Sequence, residues 1–510
     1  MAGITTLIRP YFSHIYKQII TASSDVEKSQ RALLKWLLSS SVSTEIGRRY
    51  DFSSIETYAQ YSSRVPIVQY SDIRNDVMRM IAGEPDLLWR GRCRWYAQSS
   101  GTNDGRSKYI PVTSDSFSHT HYRGGKDVVA TYLHLNPHSK LFSGQAFILG
   151  GSFANAIADL PPAMHVGDLS ANLIENISPL ANLLRVPSKK IALLPDWEIK
   201  LPALVKASAD RNITNLSGVP SWFLTVLKEV IKSKGATTIH DVWPNLEVFF
   251  HGGISFAPYR MQYQSICDMS KMHFVNTYNA SEGFFGVQND FVSDDMLLLL
   301  DTGVFYEFIP MDAPETAPIP VWELQKGRTY EVLISSCNGL WRYRIGDTVT
   351  ITSISPVKFQ IAGRTKHFIN AFGEELMVYN ADAAVAKASA ETGMGVINYT
   401  AAPLFASGDN KAAHQWFVEF DNENYSASEI ENFACILDNA LCMENSDYEA
   451  KRANSIFLDT LKIIPAHRGV FDNWLRNRTG AIGGQRKIPR LSNDRSIIES
   501  LIKLNNTIFL

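Results

Sequence analysis

Ser99-Ser100-Gly101-Thr102-Asn103-Asp104-Gly105-Arg106-Ser107-Lys108 packs hydroxyls, glycines and a terminal lysine into ten residues and leads into Tyr109-Ile110-Pro111-Val112. Glycine permits backbone conformations that turn amide N–H groups inward. Hydroxyls add donors, and a lysine adds a compact charge suited to phosphate oxygens. The stretch is a candidate phosphate cradle. It is not a Walker A loop, because GxxxxGK[ST] cannot be threaded through it. Taken alone, such a cluster is equally a plain polar turn. Its setting supports the first reading, since Arg94-Trp95-Tyr96-Ala97-Gln98 is predicted to be a strand entering the loop.

Upstream, Leu7, Tyr11, Ile15 and Ile19 recur every four residues, which predicts an amphipathic helix. Ser24 and Glu27 have capping-box spacing ahead of a second helix carrying Leu33, Leu34, Leu37 and Leu38. Tyr70-Ser71-Asp72-Ile73 opens a helix to about Ile81, closed by Gly83 and Pro85. Downstream, helix is predicted over 114–135 and 221–232, and strand at Ala146–Leu149. Two further strands end on polar or glycine-rich stretches. Leu246–Phe250 ends on His251-Gly252-Gly253, and Phe274–Tyr278 on Asn279-Ala280-Ser281-Glu282-Gly283. Open α/β sheets build ligand sites in this way. After Met296, strand-like runs follow one another with little helix, which predicts a smaller, largely antiparallel sheet packed on the first part. Gly363-Arg364-Thr365-Lys366 punctuates the chain, and a small α+β domain follows. The fold class is therefore α/β, a large N-terminal part with a smaller antiparallel subdomain and a small C-terminal domain.

With 510 residues, 45% hydrophobic and 20% charged, the chain has the composition of a soluble globular protein of about two to four domains. A net charge of −2 points to neither nucleic acid nor an anionic membrane as partner. Five scattered cysteines without a CxxC pair predict reduced thiols in a cytoplasmic setting, not a disulfide frame or zinc site. The N-terminus lacks the apolar run of a signal peptide, and no stretch approaches the roughly 20 apolar residues of a membrane helix.

Tyr278 to Gly283 supplies an aromatic able to cover a purine face and a carboxylate able to hold Mg²⁺. The plainer alternative is a core tyrosine and a solvated glutamate. In Trp341-Arg342-Tyr343-Arg344-Ile345-Gly346-Asp347, Gly346 is predicted to turn the chain. Asp347 could accept from both hydroxyls of a ribose, or be an ordinary salt-bridged turn residue. Gly373-Glu374-Glu375 and Gly484-Gln485-Arg486-Lys487-Ile488-Pro489-Arg490 follow near the end. His119-Thr120-His121 has no third ligand nearby and reads as surface or helix polar residues.

In order and spacing these stretches resemble the signature motifs of the adenylate-forming superfamily, which includes acyl-CoA ligases and luciferases. The closer resemblance is to the acyl-acid amido synthetases, the auxin- and jasmonate-conjugating enzymes and their bacterial relatives. Ser99 to Pro111 is similar to that family's SSGTSxGxxKxxP loop, Tyr278 to Gly283 to its YxxSEG-type motif and Tyr343 to Asp347 to its YRxGD-type motif. His251 to Phe256, Tyr306 to Pro310 and the segment Val65 to Glu84 are also family-like, so the resemblance spans roughly residues 60 to 490. Asn103 departs from it by removing one hydroxyl, and the terminal basic motif is shorter than the ligases' PxTxxGK.

The resemblance implies an ATP- and Mg²⁺-dependent ligase with an N-terminal adenylation domain over 1–363 and a mobile C-terminal domain over 364–510. A carboxylic acid would attack the α-phosphorus of ATP, giving an acyl adenylate and pyrophosphate. The amine of an amino acid would then take the acyl group and release AMP. On this reading Ser99, Ser100, Thr102 and Lys108 hold the triphosphate and Glu282 the metal. Tyr278, Ser281, Gly252 and Gly253 surround adenine, and Asp347 accepts from the ribose with Arg364 nearby. Lys487 is the catalytic cation, assisted by Lys108 and Thr102, and the hinge lies at Gly363 to Lys366. Tyr122, Phe153, Trp222 and Phe223 would line the acyl pocket, or simply pack the core. Two rival expectations are thioester formation with coenzyme A and a non-catalytic nucleotide- or acid-binding relative.

Overall fold

A computed structural model describes residues 3–99, 108–153, 157, 160–253, 256–364, 368–369, 371, 374, 376–405, 412–445, 448–449, 452, 458–479 and 488–507, with the backbone alone at 99, 221, 258, 364 and 477–479. The first strands, β1 (Trp95–Ser99) and β2 (Lys108–Pro111), pair antiparallel either side of the Ser/Gly loop. In chain order β3 (Gln145–Ile148), β4 (His165–Gly167), β5 (Arg185–Val186), β6 (Ile213–Gly218), β7 (Val248–Gly252) and β8 (His273–Ala280) follow. β4 runs parallel to β1 and completes a three-stranded sheet separate from the main one.

β5, β3, β6, β7 and β8 lie side by side and parallel. Helices such as Pro220–Lys234 carry the chain between them, and Phe223, Leu227 and Val230 of that helix are buried against Phe147 and Phe249. Gly235 closes it at φ +61°, a left-handed conformation that suits glycine. The opposite face is covered by the helices Ile4–Ser24 and Tyr122–Leu135. In the first of these Ile15 and Ile19 are buried while Leu7 and Tyr11 face outward.

The antiparallel strands do not form a detached sheet. β9 (Gly283–Gln288), β10 (Met296–Leu298), β11 (Val304–Pro310), β12 (Ile319–Pro320), β13 (Thr329–Ser336), β14 (Leu340–Ile354) and β15 (Val357–Arg364) continue the parallel strands through the β8–β9 hairpin into one twelve-stranded sheet. β14 also differs from expectation. The two predicted strands on either side of Gly346 are one strand, and Gly346, at φ +85°, sits in an irregularity of its pairing with β13 and does not end it. The N-terminal segment docks on this half: Val68 bridges to Tyr343, and Arg342, itself at φ +45°, reaches back to the carbonyls of Ser62 and Val65. Capping differs in one place, since Asp25, and not Ser24, caps the helix Val26–Ser41.

After residue 364 come the short pair β16 (Phe368–Ile369) and β17 (Leu376–Met377), the helix Val378–Thr392, and then β18 (Val396–Leu404) and β19 (Ala413–Phe420). The helix Ala427–Glu444 carries a Ser426/Glu429 capping box, the local Ser-x-x-Glu spacing of a helix start. β20 (Lys462–Ala466) joins β19 in parallel. This C-terminal unit has apolar clusters of its own, centred on Trp416, Phe433 and Leu437 and on Phe417, Phe471 and Leu501.

Candidate active site

The parallel strands share a direction, so their C-terminal ends form one edge of the sheet. Ile148 lies beside Ser217, Gly218 beside His251, and Gly252 beside Thr277. Phe153, Trp222, Gly252-Gly253 and Tyr278 through Glu282 therefore leave the sheet along the same edge, the usual ligand side of such a sheet. A Cβ on Gly252 would collide with the Thr277 carbonyl oxygen, so the close approach of β7 and β8 needs glycine here. Gly253, at φ +82°, then turns the chain away.

Tyr278 lies within β8, in the strand predicted over Phe274–Tyr278. Its ring is 6% exposed and meets Phe285 and Phe359 edge-on at 4.8 and 5.9 Å. Its hydroxyl donates to Asp347 Oδ2 at 2.6 Å, joining β8 to β14 across the site. Asp347 is itself buried, follows Gly346 and pairs in register with Arg364 of β15. The turn between β8 and β9 is made by Ser281 and Glu282, both buried. Asn338 Nδ2 donates to the Glu282 carbonyl at 3.0 Å and holds this turn from below. A solvated glutamate, the plainer expectation, is therefore not what is found.

Lys108 opens β2 opposite Ser99, so the two ends of the Ser/Gly loop are held together by strand pairing. The backbone N–H of the next residue, Tyr109, donates to the Tyr70 hydroxyl at 2.8 Å. Ser100, Thr102, Lys366 and Lys487 lie outside the described residues, as do the side chains of Ser99 and Arg364.

The four acyl-pocket candidates separate into two groups. Phe153 belongs with Trp95 and His165, at 6.1 and 6.4 Å between ring centres, and Tyr122 stacks on Phe117 at 5.8 Å and donates to the Leu173 carbonyl. Trp222 is half-buried beside Trp197 at 6.2 Å. Phe223 is fully buried between Phe147 and Phe249, and packing alone accounts for it.

Two histidines at this edge are buried, and their burial pushes both pKa values down, His121 to about 4 and His251 to about 3. Both are thus neutral near pH 7. His119, Thr120 and His121 are helical, in a π turn over Phe117–His121, and of the three only His119 stays at the surface while Thr120 and His121 are buried.

The GH3 family N-terminal domain matches residues 15–272, its central domain 297–364 and its C-terminal domain 379–496. The chain belongs to the GH3 family. Among GH3 relatives, it is 21% identical to indole-3-acetic acid-amido synthetase GH3.4 of Arabidopsis thaliana, covering 90% of this chain and 88% of that one. It is 23% identical to GH3.10 of the same plant, covering 96% and 93%. Among solved structures, AtGH3.15 acyl acid amido synthetase in complex with 2,4-DB superposes with a TM-score of 0.77 at 18% identity, covering 98% of this chain and 96% of that one. A 2-hydroxyisobutyryl-CoA ligase in its postadenylation state follows at 0.61 and 13%, covering 94% and 92%, a likeness of fold.

Within this GH3 chain the structure adds residues that sequence reading missed. Tyr70 anchors the exit of the Ser/Gly loop, and Asn338 supports the Glu282 turn. Lys200 is buried on the helix Trp197–Ser208 and donates to the Gly150 carbonyl at 2.6 Å, below Phe153. Tyr70 had a signal in its helix-opening position, but nothing in the sequence ties Asn338 or Lys200 to the edge.

Proposed function

We propose that this chain is an ATP-dependent acyl-acid amido synthetase. It adenylates a carboxylic acid with release of pyrophosphate and passes the acyl group to the amine of an amino acid with release of AMP. The observation that carries the reading is the convergence at one sheet edge of Gly252-Gly253, Tyr278, Glu282 and Asp347 in a GH3 chain, with Tyr278 bonded to Asp347. The coarser part, a GH3 chain of adenylate-forming fold, is given by the family and the superposition.

On this reading adenine lies between the Gly252-Gly253 backbone and Tyr278, with Ser281 at its rim. Asp347 accepts from the ribose hydroxyls, oriented by Tyr278 and with Arg364 nearby. Ser99, Ser100, Thr102 and Lys108 surround the triphosphate, and fixed donors there stabilise charge as it builds on the phosphate oxygens. Glu282 is one buried carboxylate, and no group of three metal-binding side chains occurs among the described residues. That donor set fits Mg²⁺, which is commonly held by one or two carboxylates plus phosphates and water. When bound, the ion neutralises phosphate charge. Lys487, from a C-terminal domain over 364–510 hinged near Lys366, supplies the cation between carboxylate and α-phosphate. Tyr122, Phe153 and Trp222 line the acyl side, with Phe223 behind them.

A reducing, cytoplasmic setting suits the five free cysteines, and no helix among the described residues is long and apolar enough to cross a membrane. The test is pyrophosphate release with ATP and Mg²⁺ over a panel of aryl and aliphatic acids that includes indole-3-acetic acid and 2,4-DB. Hydroxylamine serves as a universal acceptor. A hydroxamate from one acid class is the expected result. ATP binding without pyrophosphate release would refute the reading in favour of a non-catalytic binder, and a thioester formed in preference to an amide would refute the acceptor.

A further inference from the structure

The described residues hold one buried polar junction between the large sheet assembly and the C-terminal unit, and it sits next to the candidate site. Tyr259 ends the short turn Ala257–Tyr259 that leaves the Gly252-Gly253 edge, and it is 4% exposed. Its hydroxyl donates to the Ile397 carbonyl of β18 at 3.1 Å. The charge of Arg490 acts on the same hydroxyl. Arg490 in turn is ion-paired with Asp382 of the helix Val378–Thr392 and lies 4.7 Å over the ring of Tyr399. The Tyr399 hydroxyl closes the arrangement by donating to the same Asp382 oxygen at 2.6 Å. Each charge is matched, so the cluster can be buried without an isolated ion.

The backbone around Arg490 is hydrogen-bonded to β18 as well. Ala401 N–H donates to the Arg490 carbonyl at 2.8 Å, Thr400 Oγ1 to the Pro489 carbonyl at 2.6 Å, and Ser492 N–H to the Ala401 carbonyl at 3.1 Å. Residues 489–492 thus run as a partial extra strand along β18. Another polar contact between the two parts, Arg476 with Glu198 at 3.3 Å, is exposed and contributes little. In the sequence Arg490 stands three residues after Lys487, and Tyr259 six residues after Gly253.

We infer that Tyr259 and Arg490 are positioning residues whose junction fixes the C-terminal unit in the orientation used for adenylation. The inference rests on the activity proposed above for its half-reactions, but not for its structural part. With Tyr259 seated on β18 beside Arg490, the junction joins the segment that follows Gly252-Gly253 to a residue three positions after Lys487 in the sequence. Amide transfer does not require that lysine at the α-phosphate, so loosening the junction costs the first half-reaction and spares the second.

The variants are Tyr259→Phe, which removes only the hydroxyl, Tyr259→Ala, which removes the ring, and Arg490→Lys, which keeps the charge but loses the planar stack. Small-angle X-ray scattering of each full-length protein reads the orientation without any substrate. Acid-dependent pyrophosphate release reads adenylation, with the acid that the wild type activates best. Hydroxamate formation from the synthetic adenylate of that acid reads transfer. The expected result is a broadened distance distribution for Tyr259→Ala and Arg490→Lys, with pyrophosphate release down more than tenfold and transfer changed less than twofold. Tyr259→Phe should fall between these variants and the wild type. Unchanged scattering in Tyr259→Ala, or equal loss in both half-reactions, overturns the inference. If the wild type activates no acid, the proposed activity fails and the scattering alone decides the junction.

Discussion

Tyr278→Phe removes one oxygen and tests whether Asp347 holds the ribose. In the wild type the Tyr278 hydroxyl donates to Asp347 Oδ2 at 2.6 Å, and both residues are buried. Hydrogen bonds to charged groups contribute about 1.5–3 kcal/mol. That loss falls mainly on the free protein and reads as lower thermal stability. The nucleotide meets a different cost, because a carboxylate freed from its tether must be re-ordered before it can accept from two hydroxyls. Immobilising one side chain costs about 0.5–1.5 kcal/mol, which is about two- to twelvefold in affinity. The expected outcome is therefore a KM for ATP raised by roughly that factor, with the KM for the acid unchanged. Asp347→Asn, which keeps the shape and discards the charge, should exceed it. Steady-state pyrophosphate release against ATP concentration measures both. If Tyr278→Phe and Asp347→Asn lower the melting temperature yet leave the KM for ATP at its wild-type value, the pair is scaffolding and the ribose assignment is wrong.

Three other predictions follow from the same geometry. Arg342 and Glu307 form a buried bidentate pair at 2.8–3.1 Å that also receives the Tyr58 hydroxyl. Arg342→Met strands Glu307 and should cost about 3–5 kcal/mol in denaturant unfolding, more than the Arg342→Met/Glu307→Leu double variant. Arg123 is shared between Asp127 and Asp301, and burial raises the Asp127 carboxyl to about 7. The folded protein then keeps a proton that the unfolded chain releases from about pH 4 upward, so stability should fall between about pH 4 and 7 and level off above. Asp127→Asn should flatten that slope in melting curves taken across the range. Lys487→Ala should depress adenylation far more than transfer from a preformed adenylate, and equal loss in both assays counts against its assignment.

Much of this could be read from the chain because the elements around the site have short-range signals. The helix over 70–81, the strands ending at Gly252 and Ala280, and the Ser426 cap each depend on local periodicity or spacing. What could not be read depends on pairing across long sequence distances. Gly346 looks like a turn until Glu331 and Leu333 of β13 are seen to keep Thr348 and Arg344 in one strand. The antiparallel run after Met296 looks like a separate sheet until β10 pairs with both β9 and β15. Tyr278 reads as a strand residue, and it is, but the partner that buries its ring, β9 returning alongside it, is not visible in the sequence. His119-Thr120-His121 reads as surface or helix polar residues, and nothing local in the sequence separates the exposed His119 from the buried Thr120 and His121 of the same π turn.

The site that emerges divides its charges by the kind of structure that carries them. The carboxylates at the sheet edge sit on strand-anchored backbone: Asp347 lies in β14 and accepts from Tyr278, and Glu282 lies in the tight β8–β9 turn whose backbone carbonyl Asn338 holds. The donors and cations proposed for the phosphates belong instead to segments between strands: the Ser/Gly loop that Tyr70 and the β1–β2 pair tie at its ends, and the basic stretch that precedes Arg490. A triphosphate meeting the edge alone would face negative charge. On the proposed function its binding would become favourable only with the cationic segments and the metal contributing to the same space. On the same reading, rigid acceptors would define where the nucleoside sits, and the cations would decide when its phosphorus is open to attack. The Tyr259–Arg490 junction lies where those two requirements meet, because it ties the nucleotide edge to the unit that carries the last of the cations.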